Sequence, residues 1–163
     1  MRAYETYLRS QGVDGILATR ELLRTGRRWR HCRVDEFSVP PRELWPRMVA
    51  TLVLVRDLQR RGLLRAPHVA SGWRSESFNR CEGGSLRSRH LDNAAIDFDI
   101  EPADDDGERL CRFWRESGPH VKFGLGFYSS NRIHVDTAGF RTWGYDHHRS
   151  TSLCLRDAGR TDS

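Results

Sequence analysis

Apolar residues recur at helical spacing in the first half of the chain. Two short stretches, 4–8 and 16–23, predict two short helices, with Asp14 as the N-cap and Gly26 as the end of the second. A longer pattern over 42–61 predicts a helix with one apolar stripe that faces the core. The residues of this stripe are Leu44, Met48, Leu52, Val55 and Leu58.

The second half combines strand patterns with two further helices. The run SESFNRC predicts a short helix capped by Ser75. An acidic run at 101–108 suits a helix N-terminus, and the helix that follows ends at Gly118-Pro119. Residues 94–100 alternate between apolar and polar, which is typical of a half-buried strand. Further strands are predicted at 67–72, 123–128 and 132–136, with the last two joined as a hairpin, and a last element of unassigned type is expected at 140–145.

This order of elements predicts the fold class. Helices followed by strands mixed with helices favour an α+β domain with a small, mostly antiparallel sheet and helices packed on one side. A length of 163 residues allows one such domain. We expect an N-terminal helical extension over 1–40, a main domain over 41–146 and a polar, frayed tail over 147–163.

The composition supports a packed core and an anionic partner. Hydrophobic residues make up 37% of the chain, including five tryptophans and seven phenylalanines. A net charge of +5 favours association with nucleic acid, an anionic membrane surface or an anionic cell-wall polymer. The basic run from Arg24 to Arg33 is interpreted as a solvated arginine-rich face or a flexible lead-in, and no nucleic-acid-binding motif is visible. We therefore expect no nucleic-acid partner.

Targeting signals are not visible in the sequence. The longest apolar run, over 48–55, is far shorter than the roughly 20 residues of a membrane span, so no transmembrane segment is expected. The N-terminus lacks the apolar core and cleavage site of a secretory signal. We expect that the protein acts or accumulates inside the cell, or that the sequence has been trimmed.

Four cysteines are scattered along the chain without a C-x-x-C pair, which argues against a zinc ribbon or a thioredoxin-like site. Two disulfides are compatible with their number. Without a secretory signal, reduced and partly buried thiols are the expectation. The four are Cys32, Cys81, Cys111 and Cys154.

Candidate chemistry is concentrated between Val69 and Ile100 and in the later hairpin. A catalytic zinc ion is held by three protein ligands drawn from His, Asp, Glu and Cys, with one position open to water. His90, Asp97 and His134 could supply such a set. By spacing alone, however, Asp97 also fits an exposed polar position on a strand.

Three ordered motifs carry a resemblance to a known family. The runs SGWRSESFNR, GGSLRSRHLDNAAIDFDI and GLGFYSSNRIHVDTAGFRTWG resemble the zinc D-Ala-D-Ala carboxypeptidase and murein endopeptidase family. That family is similar to the vancomycin-resistance dipeptidases and, more distantly, to the Hedgehog signalling domain. Its pattern is SGxRS, then SxHxxGxAxD, then a histidine near Gly-x-Gly-x-Tyr, often as HxD. The resemblance covers Val69 to Gly144 and implies a Hedgehog-like zinc peptidase domain over 41–146.

The resemblance implies a role for each matching residue. His90, Asp97 and His134 would bind one zinc ion, and Arg74 and Ser88 would hold the substrate. A guanidinium suits a peptide carboxylate or a developing oxyanion. A structural ion pair of Arg74 with Asp97 or Asp99, and a loop or cap role for the Ser88 hydroxyl, remain open.

The sequence departs from the family pattern at two places. Asn93 replaces a glycine, which is tolerable because asparagine visits left-handed conformations readily. The glutamate or histidine that some branches place just before the last metal histidine is missing, since Asn131 and Arg132 stand there. Asp136 is the best substitute as general base, with Asp99 behind it. Either could instead orient a metal histidine.

We therefore expect a monomeric zinc metallopeptidase that hydrolyses peptidoglycan stem peptides or cross-links, as a carboxypeptidase or an endopeptidase. Its site of action would be the cell wall or periplasm, as for a phage lysin or an exported enzyme. The alternative is a non-catalytic, zinc-stabilised wall-binding module that has lost the general base. A nucleic-acid-binding domain rests on charge alone.

Overall fold

The protein contains one five-stranded sheet with helices against it. The structure, a computed structural model, describes residues 1–101 and 106–156. The strand order is β1-β2-β4-β3-β5, and the only parallel pair in this sheet is β3 with β5. The prediction of an α+β fold with a mostly antiparallel sheet is confirmed. The strands are β1 His68–Ser71, β2 Ala95–Asp99, β3 Gly124–Ser129, β4 Arg132–Asp136 and β5 Arg141–Trp143.

The helices lie close to their predicted positions. The predicted helix over 42–61 begins as a 3-10 turn, Arg42–Leu44, and continues as α3. Four residues of its stripe are fully buried, whereas Leu44 is half-buried. Ser75 caps α4 by accepting a hydrogen bond from the Phe78 N–H, as predicted. The α-helices are α1 Arg2–Ser10, α2 Thr19–Leu22, α3 Trp45–Arg60, α4 Glu76–Cys81, α5 Asp106–Val121 and α6 Leu153–Arg156.

Two helix boundaries differ from the prediction. α2 is shorter than expected, and Ala18 rather than Asp14 holds its N-cap position. α5 continues through Gly118-Pro119 to Val121, so Pro119 stands inside the last turn of the helix instead of following its end. Gly118 leaves room for the Phe140 ring, which stacks on Trp114 at 4.4 Å. Most of the acidic run, residues 102–105, lies outside the described residues.

The two faces of the sheet have different roles. One face carries buried apolar side chains of β2, β3 and β4 and packs in the core with residues of α1, α3 and α5. The opposite face carries Asp97 on β2 and His134 and Asp136 on β4, because successive side chains of a strand alternate between faces. The core-facing residues of these strands are Ile96, Phe98, Leu125, Ile133 and Val135.

The N-terminal segment shares this core. Tyr4 and Leu8 of α1 and Leu22 of α2 are buried in the same cluster as α3. The Tyr4 ring lies 5.1 Å from that of Trp45. The segment assigned to an extension over 1–40 therefore packs directly on the main domain.

Part of the expected frayed tail is ordered. Residues Arg149–Thr151 form a 3-10 turn, and α6 follows. Cys154 is buried in the core. Residues 157–163 lie outside the described part of the chain.

The four cysteines form two disulfides, so the expectation of reduced thiols was wrong. Cys32 pairs with Cys81, and Cys111 pairs with Cys154, with Cα–Cα distances of 5.9 and 4.8 Å. The partners are 49 and 43 residues apart, so only the folded chain brings them together. The first bridge ties the basic segment 24–33 to the end of α4.

Within the described ranges, no helix is both long and apolar enough to cross a bilayer.

Candidate metal centre

His90, Asp97 and His134 meet on the polar face of the sheet. Asp97 and His134 stand directly opposite each other on β2 and β4, and His90 comes from the loop before β2. The Oδ1 atom of Asp97 lies 3.1 Å from His90 Nε2 and 2.9 Å from His134 Nδ1. One ligand atom from each residue falls within 4.8 Å of the others, and all three side chains are buried. The structure thus brings the three predicted ligands together.

Each histidine is held by a second partner on its other nitrogen. The Gly72 carbonyl lies 2.7 Å from His90 Nδ1. A carbonyl only accepts, so Nδ1 carries the proton and Nε2 faces the cluster. His134 is oriented the other way, because its Nε2 donates to Asp136 Oδ2 at 2.8 Å and its Nδ1 faces Asp97. Such partners fix the ring orientation of metal-binding histidines.

Asp136 is itself enclosed. Its side chain has no exposed surface. Arg141 donates to both carboxylate oxygens, Nη1 to Oδ1 at 3.0 Å and Nη2 to Oδ2 at 2.5 Å, and the Ala138 N–H donates to Oδ1 at 2.8 Å. A Cβ on Gly124, across the ladder, would overlap the carboxylate. The predicted general base therefore lies behind His134 and does not face open space.

Arg74, predicted to hold substrate, forms an ion pair with Asp97. Its Nη2 donates to Asp97 Oδ2 at 2.5 Å, and its Nε donates to Ser71 Oγ at 2.8 Å. Ser71 in turn donates to the Thr25 carbonyl at 2.5 Å. The ion pair that the sequence left open is thus present, and it fixes the second oxygen of a candidate metal ligand.

Ser88 and Asp99 lie outside the cluster. Ser88 is half-buried, and its hydroxyl has no hydrogen-bond partner within the described residues. Asp99 receives a hydrogen bond from Arg27 at 2.8 Å and two from Arg132 at 2.8 and 2.7 Å. Within the part of the chain that the structure describes, neither side chain forms a hydrogen bond or ion pair with the three candidate ligands.

Asn93 adopts the left-handed conformation that its place in the family pattern requires. Its φ is +54°, and its side-chain amide donates to the Leu44 carbonyl at 3.1 Å. The substitution of the family glycine is therefore accommodated.

The electrostatics keep both carboxylates ionised. Burial alone would raise the pKa of Asp97, but its contacts with His90, His134 and Arg74 together hold it well below its usual value. The pKa of Asp136 is also lowered, since His134 and Arg141 outweigh its burial. Burial would lower the pKa of His134, yet its hydrogen bonds to Asp136 and Asp97 raise it.

The pKa of His90 is lowered, in contrast to that of His134, and this difference affects metal binding. Burial and the nearby Arg74 lower its pKa, so the ring is neutral with its proton on Nδ1. Its Nε2 lone pair then faces a carboxylate oxygen 3.1 Å away in a buried position. Two facing acceptors repel, and a shared cation removes the repulsion. Two imidazole nitrogens and one carboxylate oxygen therefore fit a divalent metal ion.

Several side chains near the cluster were not singled out from the sequence. The Tyr128 hydroxyl lies 3.4 Å from His134 Nδ1, and the Trp143 ring lies 5.0 Å from the His134 ring. A Cβ on Gly126 would overlap Trp143, so this glycine makes room for the indole. The His147 ring is 5.5 Å from that of Tyr128. The Gly-x-Gly-x-Tyr pattern contained a signal for Tyr128, but nothing in the sequence indicated Trp143 or His147.

The comparison with protein families agrees with this geometry. The model of the family described as Peptidase M15 matches residues 16–136. The chain belongs to the peptidase M15 family. The resemblance to zinc D-Ala-D-Ala carboxypeptidases is thereby confirmed, and the match begins within the predicted N-terminal extension. Peptidases of this family are metal-dependent, and membership implies peptidase activity. Searches of the curated proteins and of the solved structures gave no match.

Proposed function

We propose that this protein is a zinc-dependent peptidase that hydrolyses peptide bonds in peptidoglycan stem peptides or cross-links. One observation carries the proposal: His90, Asp97 and His134 converge in a peptidase M15 chain, with each histidine fixed by a partner behind it. Zinc is the preferred ion, because two imidazoles and one carboxylate form a typical catalytic zinc set with a fourth position for water or substrate.

The bound ion would supply Lewis acidity and lower the pKa of a water molecule to about 7. The protein must then hold the substrate and stabilise the charge that develops on its carbonyl oxygen. Tyr128 is placed for this second task, since its hydroxyl lies 3.4 Å from a candidate ligand atom of His134. Burial and the nearby Asp97 raise the pKa of Tyr128, so the hydroxyl stays protonated and can donate.

Arg74 and Ser88 complete the proposed substrate site. Arg74 holds Asp97 through Nη2 and Ser71 through Nε, while its Nη1 has no partner within the described residues. That N–H group remains for a substrate carbonyl or carboxylate. The Ser88 hydroxyl, which also has no hydrogen-bond partner among the described residues, would provide a second hydrogen bond from the loop that carries His90.

Asp136 acts in this proposal by orienting His134. It is fully buried, and both of its oxygens are occupied by Arg141, His134 and the Ala138 N–H. A base must reach the proton that it removes. The contacts of Asp136 support an orienting role better than proton transfer from a water in the open site.

The two disulfides and the charge support a place of action outside the reducing cytosol. Structural disulfides persist in oxidising compartments, and both bridges join distant parts of this chain. A net charge of +5 favours association with an anionic wall. We propose that the protein acts as a monomer at the cell wall.

One observation favours a second candidate, a non-catalytic zinc-stabilised wall-binding module. Asp136 and Asp99, the two acidic residues considered as general base, are both engaged by arginines. A chain that binds zinc and peptidoglycan without releasing peptides would fit this arrangement.

Metal analysis together with peptide release separates the candidates. Purified protein should contain one zinc per chain and release peptides from peptidoglycan, and His90→Ala should lose both. His31→Ala, which changes an exposed histidine, is the matched control. If the protein binds zinc and peptidoglycan but releases no peptide, the non-catalytic wall-binding module is the correct candidate. Full metal content and release in His90→Ala would refute the assigned centre.

A further inference from the structure

The basic segment 24–33 places Arg27 beside the metal centre. The segment lies along the outer edge of β1, where the Gly72 N–H donates to the Arg24 carbonyl at 2.7 Å and the Ser71 hydroxyl donates to the Thr25 carbonyl. The Cys32–Cys81 bridge holds its far end. Arg27 is thus held at the sheet by neighbours on both sides of it in sequence.

Arg27 reaches a carboxylate that shares a face with the metal ligands. Its Nη2 donates to Asp99 Oδ2 at 2.8 Å. Asp99 follows Asp97 by two residues on β2, and its other partner, Arg132, precedes His134 by two residues on β4. Side chains two apart on a strand share a face and lie about 6–7 Å apart. The group formed by Arg27, Asp99 and Arg132 is therefore within the reach of a short peptide bound at the metal centre.

The group of Arg27, Asp99 and Arg132 carries an excess positive charge. Two guanidinium groups share one carboxylate, which leaves a net charge of about one. Within the described residues, Arg27 Nε and Nη1 and Arg132 Nη1 have no hydrogen-bond partner. The Arg27 side chain is 61% exposed and the Arg132 side chain 22% exposed, so solvent reaches the pair. Free guanidinium N–H groups at an open positive site match a carboxylate.

We propose that Arg27 and Arg132, bridged by Asp99, form a subsite for a carboxylate of the peptide substrate. This inference rests on the proposed function and narrows its substrate class to peptides that carry a free carboxylate near the bond to be cut. Arg27 selects the substrate by direct contact and takes no part in the bond cleavage. Arg132 keeps Asp99 in place and adds its remaining N–H.

Two matched peptides test the subsite. One is a stem peptide with its side carboxylates free, and the other is the same peptide with those carboxylates amidated. The zinc-loaded protein should bind the free form about fivefold more tightly, the scale of an exposed guanidinium–carboxylate pair. Calorimetry measures binding, and product analysis gives kcat and KM for each peptide.

Arg27→Ala should abolish the preference by weakening binding of the free peptide alone, with an unchanged kcat. Arg27→Lys should restore part of it. Arg30→Ala is the control, since it removes an equal charge from the same segment, where Arg30 packs on Trp29 and not on Asp99. Equal binding of both peptides by the wild type, or an equal loss with both in Arg27→Ala, would overturn the subsite. A preference that depends on Arg27 without any cleavage would support the subsite while refuting the peptidase.

Discussion

The Asp136 carboxylate lies 2.8 Å from His134 Nε2, on the side of the ring away from Asp97. Arg141 donates a hydrogen bond to each oxygen of the same carboxylate, one from each of its terminal nitrogens. Together they turn Nδ1 of His134 toward His90 and Asp97. A surface histidine would need to lose rotational freedom to bind a metal ion, whereas this ring is already held in place.

Asp136→Asn should weaken zinc binding by about 10- to 100-fold, because it removes both the charge that holds His134 and the ionic partner of Arg141. Competition with a chelating indicator measures the affinity. Asp99→Asn makes the same charge change on the same face and should bind zinc as the wild type does. If Asp136→Asn keeps its zinc affinity but releases no peptide, Asp136 is the general base instead.

Gly124→Ala should act through Asp136. The added Cβ would lie 2.6 Å from the Asp136 Cγ, so the carboxylate must move. We expect about tenfold weaker zinc binding. In an Asp136→Ala background the same substitution should cost almost nothing further, since the atoms that it displaces are gone. If the losses of zinc affinity from Gly124→Ala and Asp136→Ala add up in the double variant, Gly124 does not act through Asp136.

Tyr128→Phe should lower kcat by about 10- to 1,000-fold and leave zinc affinity unchanged, because in the proposed mechanism the hydroxyl donates to the reacting carbonyl and does not hold the metal. Tyr145→Phe, at an exposed position, is the control. Steady-state kinetics on a defined stem peptide with zinc-loaded protein provide the measurement. An unchanged kcat would remove Tyr128 from the mechanism.

Each disulfide should add to the free energy of unfolding. Replacing both cysteines of either pair by serine should cost about 2–4 kcal/mol, because each bridge closes a loop of more than forty residues in the unfolded chain. Urea unfolding measures the loss. Alkylation followed by mass spectrometry should find no free thiol before reduction and four after it. Alkylation of the native protein would contradict the pairing.

The sequence alone determined the features that depend on neighbours along the chain. The twofold alternation in 94–100 and 132–136 put Asp97 on one face of its strand and His134 and Asp136 on one face of theirs. The stripe of the 42–61 helix and the Ser75 cap followed from local spacing in the same way. The ordered motifs then identified His90 as the third member of the cluster.

Only the tertiary structure decided which distant groups meet. The sheet order places β4 beside β2, so His134 stands opposite Asp97. The contacts of the 24–33 segment with the end of β1 bring Arg27 to Asp99 across 72 residues, and the loop after β1 makes Arg74 a partner of Asp97. Cysteine pairing had no local signal either. Alternation is a property of one strand, whereas an ion pair or a disulfide depends on how strands and loops are arranged in space, and this arrangement buries Asp136 between His134 and Arg141.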